Sequence, residues 1–530
     1  MSNKGVYMQN LFERIKRAAG RLEDCIRRFP FSFVMLCLIT LAANILIVSE
    51  KEIFEYPLAF TIGGLFCFLV ELAREYGIHS IRFLAPLLAA AASFISYFLM
   101  KTYDNVYVYI GLAGAAIASI SLSAAVLYRS RENRCLFSHL VKSAFIVMIF
   151  VFIVFSGISV CIAAFHFLIY SFDEIWKIYG VIFLSLIGLF AAPLFLSYVP
   201  RPEEEMVVPA IYRTMIHKAL FYIYLLLIAI LYLYIFKIVI TWKMPVGKLN
   251  WFGSFALLFY VFFYLSVDEE DGKIQELFKR YGAYLLVPVL AIQLFAIFIR
   301  LNAYGLTTAR FMSLILILIA VSFMFSSFFH FPVFKCFLFI SLVSILFTCT
   351  PLNICDVPNH IQEERLISAL TEGGALIDGK LNDEVKMDSE HLEEAKSAYE
   401  YLKYSSGNKS AFFKEFEESK IAKSFYDYWY SDPSVKSFHY SIDLENEEID
   451  IGRYQTMRLI SHQETSGLNE ELNSFFLSLD EEMMDTYLQD QLAYEFSDGR
   501  KIVFRYIVYD YSEDRKAFEY LYWEGILLSE

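Results

Sequence analysis

The chain has 530 residues, of which 57% are hydrophobic and 18% aromatic, and a mean hydropathy of +0.48. That apolar fraction excludes an ordinary soluble protein of this size and points to a membrane protein. The net charge of −13 averages two unlike halves, +8 over residues 1–350 and −21 over residues 351–530, and so acidic a second half argues against nucleic acid as a partner.

In chain order, residues 1–30 come first as a basic segment. Leu11, Ile15, Ala18, Leu22, Ile26 and Phe29 recur at three- and four-residue steps with Arg and Lys between them. This spacing predicts an amphipathic helix lying on the anionic inner leaflet. The apolar run that follows is too long for a cleaved secretory signal and lacks a small-residue cleavage site, so it reads as a retained signal anchor.

Residues 31–350 read as a polytopic bundle of about eleven transmembrane helices, a membrane all-α fold. Their centres fall near Leu38, Leu65, Ala90, Ile117, Phe155, Leu186, Leu227, Leu258, Ala291, Leu318 and Leu342. Each run approaches the ~20 residues needed to cross a bilayer core. The last two spans are separated only by "SFFHFPVFK", where His330 and Pro332 must make a tight hairpin. The third and fourth spans are rich in small residues and belong inside the bundle, where small faces let backbones approach. With the N-terminus placed inside, 19 basic residues fall on the cytoplasmic side and 8 on the other. The positive-inside rule then puts the N-terminus in the cytoplasm and, with eleven spans, the acidic domain outside.

Ionisable residues within the spans are few, namely Glu71, His166 and Lys237, and all stand near span ends. An ion-coupled pump keeps such groups near the midplane, so their scarcity weighs against one. The acidic runs "DEED" (Asp268 to Asp271) and "EEE" (Glu203 to Glu205) read as solvated cytoplasmic loops.

Residues 351–530 read as a soluble, acidic, extracytoplasmic α+β domain. Leu392, Ala395, Tyr399 and Leu402 repeat at helical steps, and "AFFKEFEESKIAKSFYDYWY" continues helical to Asp432-Pro433. Phe438, Tyr440, Ile442 and Leu444 then alternate along a strand, and "LAYEFSDGRKIVFRYIVYDY" reads as a hairpin turned at Asp498-Gly499. The aromatic residues of this half are those a sheet core and its cross-strand pairs use. Seven of the eight cysteines precede Pro351, at spacings that suit packing rather than a disulfide framework or a metal. No P-loop, dinucleotide glycine pattern, HExxH or GxSxG occurs, so no catalytic residue and no cofactor is nominated.

The stretch "RLNAYGLTTAR" stands apart, because two arginines flank a short break between apolar spans. Gly305 suits the positive φ that ends a helix, and Thr307 suits an N-cap. Arg300 ends one helix, where a cation suits the dipole; Arg310 opens the next, where it does not. An anion should compensate Arg310: a lipid phosphate, a carboxylate of the acidic domain or a ligand. Arg300, Tyr304, Gly305, Thr307 and Arg310 are therefore read as an external anion-docking corner.

"RLNAYGLTTARF" with its following apolar span resembles the hallmark of a bacterial membrane family, domain of unknown function 4153, whose sibling is 4173. "PLNICDVPNHIQEERLISAL", with its post-span Pro-Leu-Asn and its Gln-x-x-Arg-Leu helix, resembles the same family. The resemblance covers residues 210 to 380, and the chain departs from the pattern near "DVPNHIQ", where a serine or arginine is expected. It implies a multi-pass protein of the bacterial plasma membrane without supplying an activity. The partners expected are membrane lipids and a protein or envelope partner of the C-terminal domain. The function expected is an envelope sensor or assembly factor whose outer domain is anchored and coupled by the bundle. The alternative is a permease or exporter of a small or lipidic substrate.

Overall fold

The structure is a computed structural model. It describes residues 20–529 apart from 50–53, 78–84, 104, 130–134, 203, 205, 207, 242–247, 269–270, 378, 383–384, 386, 408, 424, 426–434, 442–455, 462–471, 473–492, 497–499 and 513–516. Leu11, Ile15 and Ala18 of the expected amphipathic helix lie outside the described residues, whereas residues 20–28 are helical.

The apolar runs form α1 (Pro30–Ser49), α2 (Glu55–Glu75), α3 (Ala85–Tyr103), α4 (Val106–Arg129), α5 (Leu136–Leu168), α6 (Ile175–Ser197), α7 (Ala210–Thr241), α8 (Lys248–Ser266), α9 (Lys273–Tyr304), α10 (Thr308–Phe329) and α11 (Val333–Cys349). Each expected centre falls in one of them. Eight are long and apolar enough to cross a membrane; Asn250–Ser266 and Val333–Cys349 are shorter apolar helices, and α3 is not among the eight. The hairpin between α10 and α11 is made as expected: His330 takes the left-handed conformation at φ 53, and Pro332 stands just before α11.

Large apolar side chains lie on the outside of these helices, among them Phe152, Phe167 and Leu233, each at least 70% exposed. Such a surface is tolerable against lipid and not against water. Lipid tails are as apolar as leucine, so burial alone does not hold the helices together; close packing and polar contacts do. At Gly114 of α4 a Cβ would occupy the position of the Thr348 hydroxyl of α11, and Ser344 Oγ donates to Gly114 O at 2.7 Å. The small residues of the fourth span thus buy a backbone-to-backbone approach. Between α7, α8, α9 and α10 the core is aromatic: Phe221 stacks edge-on against Phe263 and Phe278 at 5.4 and 5.1 Å.

Polar groups close the ends. Glu71 of α2 is buried and accepts from Phe31 N (2.9 Å), Ser32 N (3.1 Å) and Ser32 Oγ (2.6 Å). A carboxylate of one helix therefore satisfies the orphan amides at the start of α1, where the dipole favours an anion. One turn on, Glu75 takes a two-pronged contact from Arg28, 3.0 Å at each oxygen. His166 accepts from Phe172 N at the end of α5, and Lys237 is exposed.

The chain divides into two compact units. The first contains residues 1–372 and 388–409, and so takes in α12 (Asp356–Glu372) and α13 (Ser389–Tyr404). Helical spacing explains α13: Ala395, Ala398, Tyr399 and Leu402 are its buried face. The second unit, residues 373–387 and 410–530, holds β1 (Leu376–Ile377), β2 (Lys380–Leu381) and α14 (Ala411–Glu417). It also holds β3 (Val435–Ser441), β4 (Thr456–Ser461), β5 (Ala493–Glu495), β6 (Lys501–Ser512) and β7 (Ala517–Ser529), an antiparallel sheet of order β3-β6-β7-β4 with β5 beside β6. The expected hairpin pairs Glu495 with Lys501, and its turn residues lie outside the described ones. Trp523 is buried and meets Phe504 edge-on at 5.9 Å, the aromatic core use that composition suggested. Ile442 and Leu444 lie outside the described residues.

Candidate functional site

The corner between α9 and α10 is built by two breaks in backbone conformation. Gly305 takes φ 64 and ψ −176, a combination open essentially to glycine alone, and its N–H still reaches Leu301 O at 2.9 Å. Thr307 is extended, φ −115 and ψ 159, at the N-cap position of α10. Its side chain makes no capping bond, contrary to the expectation from residue type. The cap comes from α13: the Tyr401 hydroxyl accepts from Thr308 N at 3.0 Å and lies 2.8 Å from Thr308 Oγ1. A longer side chain from another helix displaces the local threonine from that role.

Helix α12 holds the other side. Gln362 is buried and donates from Nε2 to Tyr304 O (2.8 Å) and Leu306 O (3.0 Å), bracketing Gly305. A Cβ on Gly305 would stand 2.7 Å from that nitrogen, so the glycine is needed for space as well as for φ. Arg365, three residues along the same helix, donates from Nη2 to Ala303 O (3.1 Å) and from Nε to Glu394 Oε1 of α13 (2.8 Å). Upstream, Asn353 fixes the start of α12 by accepting from Cys355 N and Asp356 N at 2.9 and 2.8 Å.

Arg310 answers the dipole problem in an unexpected way. Its Nη1 turns back to Gly305 O (2.5 Å) and Tyr304 O (3.4 Å), and its guanidinium sits 5.7 Å from the Tyr304 ring centre. The cation at the start of α10 thus serves the carbonyl end of α9, where the dipole is negative. Among the described residues no carboxylate pairs with Arg300 or Arg310, while Arg300 and Arg365 lie close enough to repel the Arg310 charge.

Of the five residues expected at this corner, the structure brings Tyr304, Gly305 and Arg310 together with Gln362 and Arg365. Thr307 stands in the turn, and Arg300 lies one helical turn before Tyr304. Gln362, Arg365, Glu394 and Tyr401 were not nominated. The first two were visible as the Gln-x-x-Arg-Leu pattern, but nothing in the sequence placed that helix against the corner.

A second polar cluster joins α5, α7, α8 and α9. His217 Nδ1 lies 2.6 Å from Asp271 Oδ2, its Nε2 lies 3.1 Å from Ser138 Oγ, and Gln275 Nε2 donates to His217 O at 2.9 Å. Asp271 also accepts from Asp268 N at 2.9 Å, and Arg213 approaches its other oxygen at 3.6 Å. His217 lies in a π-helical stretch, Arg213–Leu220, that re-aims the side chains of α7. Two of the four "DEED" carboxylates are therefore buried partners, not solvated loop charges: Asp271 meets His217 and the Asp268 amide, and Asp268 accepts from the Cys135 thiol at 3.6 Å. The order serine, histidine, carboxylate invites comparison with a nucleophilic triad. Ser138 is wholly buried, however, and its hydroxyl donates to Ser266 O at 2.7 Å, which makes the cluster a tie between helices. Nearby, burial first and then Asp268 push the Cys135 thiol up, so it is held as a neutral thiol.

Among the described residues no group of three His, Cys, Asp or Glu could hold a metal ion. All eight cysteines are free thiols, Cys349 and Cys355 included. A cavity of about 730 Å³ lies between α2, α3, α4, the end of α11 and the start of α12; its lining is mostly apolar and includes Tyr107 and Asp356, where Tyr107 OH donates to Asp356 Oδ1 at 2.5 Å.

Eight apolar helices of spanning length define a multi-pass membrane protein. Residues 33–391 match the family model described as "Domain of unknown function (DUF4153)", and the chain belongs to that family. The matched region ends in the first turn of α13, so it includes the corner and all of α12, whereas Glu394 and Tyr401 of α13 lie beyond it. Comparison with curated proteins finds no match, and comparison with solved structures finds none.

Proposed function

We propose that this protein is an envelope sensor or assembly factor of the bacterial plasma membrane, in which the acidic C-terminal residues lie outside and the bundle anchors and couples them. The observation that carries this reading is the chain path around the clamp. Residues 373–387 and 410–530 form a unit of their own, and they join α12 and α13 at three places, after 372, before 388 and after 409. A tethered module needs only one such junction. Three junctions on the two helices whose Gln362, Arg365 and Tyr401 grip the α9–α10 corner give a displacement of that unit a covalent path to the bundle. Partners in this reading are membrane lipids around the bundle and an envelope protein or ligand at the acidic unit.

The test is to loosen the clamp and read the acidic unit. In the full chain in native membranes, Tyr401→Phe combined with Gln362→Leu should change protease cleavage within residues 410–530. Unchanged cleavage, with the bundle still folded, removes the coupling role and favours a permease that uses the bundle alone.

A further inference from the structure

We infer that Arg300, Arg310 and Arg365 form a binding site for a phosphate group at the α9–α10 corner, and that its source is a phospholipid headgroup. This goes beyond the coupling role and does not depend on it.

Charge is the first reason. Arg310 and Arg365 both reach carbonyls of residues 303–305, Arg300 stands one helical turn before Tyr304, and Glu394 is the one carboxylate among the described residues that pairs with any of the three. Arg310 and Arg365 spend single nitrogens on the carbonyls of Ala303, Tyr304 and Gly305, which offer partial charges only. The second reason is an unmet donor. Arg365 has its side chain 13% exposed, and its Nη1 is buried without a hydrogen-bond partner. A buried guanidinium nitrogen left so is costly, and a phosphate oxygen is the acceptor that arginine's planar fork matches best.

Place decides the source. The corner joins two helices of spanning length, and the side chains beside the arginines are apolar and outward: Phe298, Ile299, Tyr304 and Met312 are each at least 40% exposed. A phosphate bound here has hydrocarbon-facing surface directly beside it, which suits the acyl chains of a lipid and wastes nothing on a free ion. Tyr304, with its ring outward beside Arg310, is also the residue type that sits at headgroup level.

The experiment uses the purified full-length protein in detergent, with lipid retention read by native mass spectrometry. The probes are phosphatidylglycerol, diacylglycerol with the same chains, and inorganic phosphate. Wild type should retain phosphatidylglycerol and not diacylglycerol. Arg300→Gln, which removes no hydrogen bond described here, should lower retention at least ~10-fold, the loss expected for one charge-assisted contact. Arg300→Lys should recover part of it, and Arg129→Gln at the end of α4 should behave as wild type. Undiminished retention in Arg300→Gln overturns the inference and leaves the arginines as helix caps. Equal retention of diacylglycerol overturns it in favour of the chains alone. Thermal stabilisation by inorganic phosphate without retention of phosphatidylglycerol overturns the lipid assignment.

Discussion

Gly305 shows most directly how one residue can be required twice. Its φ of 64 excludes other residues on conformational grounds, and its missing side chain leaves room for Gln362 Nε2. Gly305→Ala should therefore cost about 2 kcal/mol or more, since strain at such a backbone position adds to the displaced amide. Thermal unfolding of the purified protein should show this as a lowered midpoint. The same substitution at Gly157, where a Cβ meets nothing within 4 Å, should leave the midpoint in place or raise it. Arg310 teaches a related lesson: its position in the first turn of α10 looks unfavourable until its side chain is seen to reach the preceding helix.

At the scale of elements, helix ends govern this protein. His330 ends α10 in the left-handed region, which costs a β-branched residue far more than glycine or asparagine. His330→Val should destabilise by about 1 to 2 kcal/mol, whereas His330→Gly should be neutral or better, and comparing their unfolding midpoints checks the turn. The start of α13 is sensitive to pH. Asp388 accepts from His391 N at 2.9 Å and from its ring Nδ1 at 2.7 Å, and Glu372 at the end of α12 approaches Nε2 at 3.4 Å. Those bonds hold the Asp388 carboxyl below its usual 3.8, the backbone bond first, and hold the His391 ring above its usual 6.5 through the Asp388 side chain first. A raised imidazole stabilises fully below pH 6.5 and loses its effect as pH rises through its folded value; a lowered carboxyl stabilises above pH 3.8 and loses its effect as pH falls. The first turn of α13 should thus be best protected between those values. Amide exchange of residues 389–393, corrected for its intrinsic pH dependence, should slow inside that window and quicken on either side.

For the whole molecule, the open quantity is the number of crossings. If all eleven apolar helices cross, the excess of basic residues on one side predicts a cytoplasmic N-terminus and an external C-terminus. Alkaline phosphatase fused after Glu530 should therefore be active in bacteria, and a cytoplasmic reporter at the same place should be silent. The reverse result would mean that one of the short helices, Val333–Cys349 first among them, does not cross. Such a result would place the acidic residues in the cytoplasm and end the envelope reading while leaving the clamp intact.

Hydrophobic length and charge, which the sequence carries locally, were enough to place every apolar helix, the break at His330 and the strands on either side of Asp498-Gly499. Each of these is a short-range property: a span needs its own run of apolar residues, and a hairpin needs its own turn. The partners of the corner were beyond that reach. Gln362 and Tyr401 lie 58 and 93 residues from the backbone groups they bind, and no periodicity relates such positions. The buried fate of Asp268 and Asp271 was equally hidden, because a carboxylate in a loop is solvated unless another segment brings a partner to it, here Cys135 to Asp268 and His217 to Asp271. Tertiary packing decided those cases, for inside a membrane protein each polar group must find its partner wherever the helices cross.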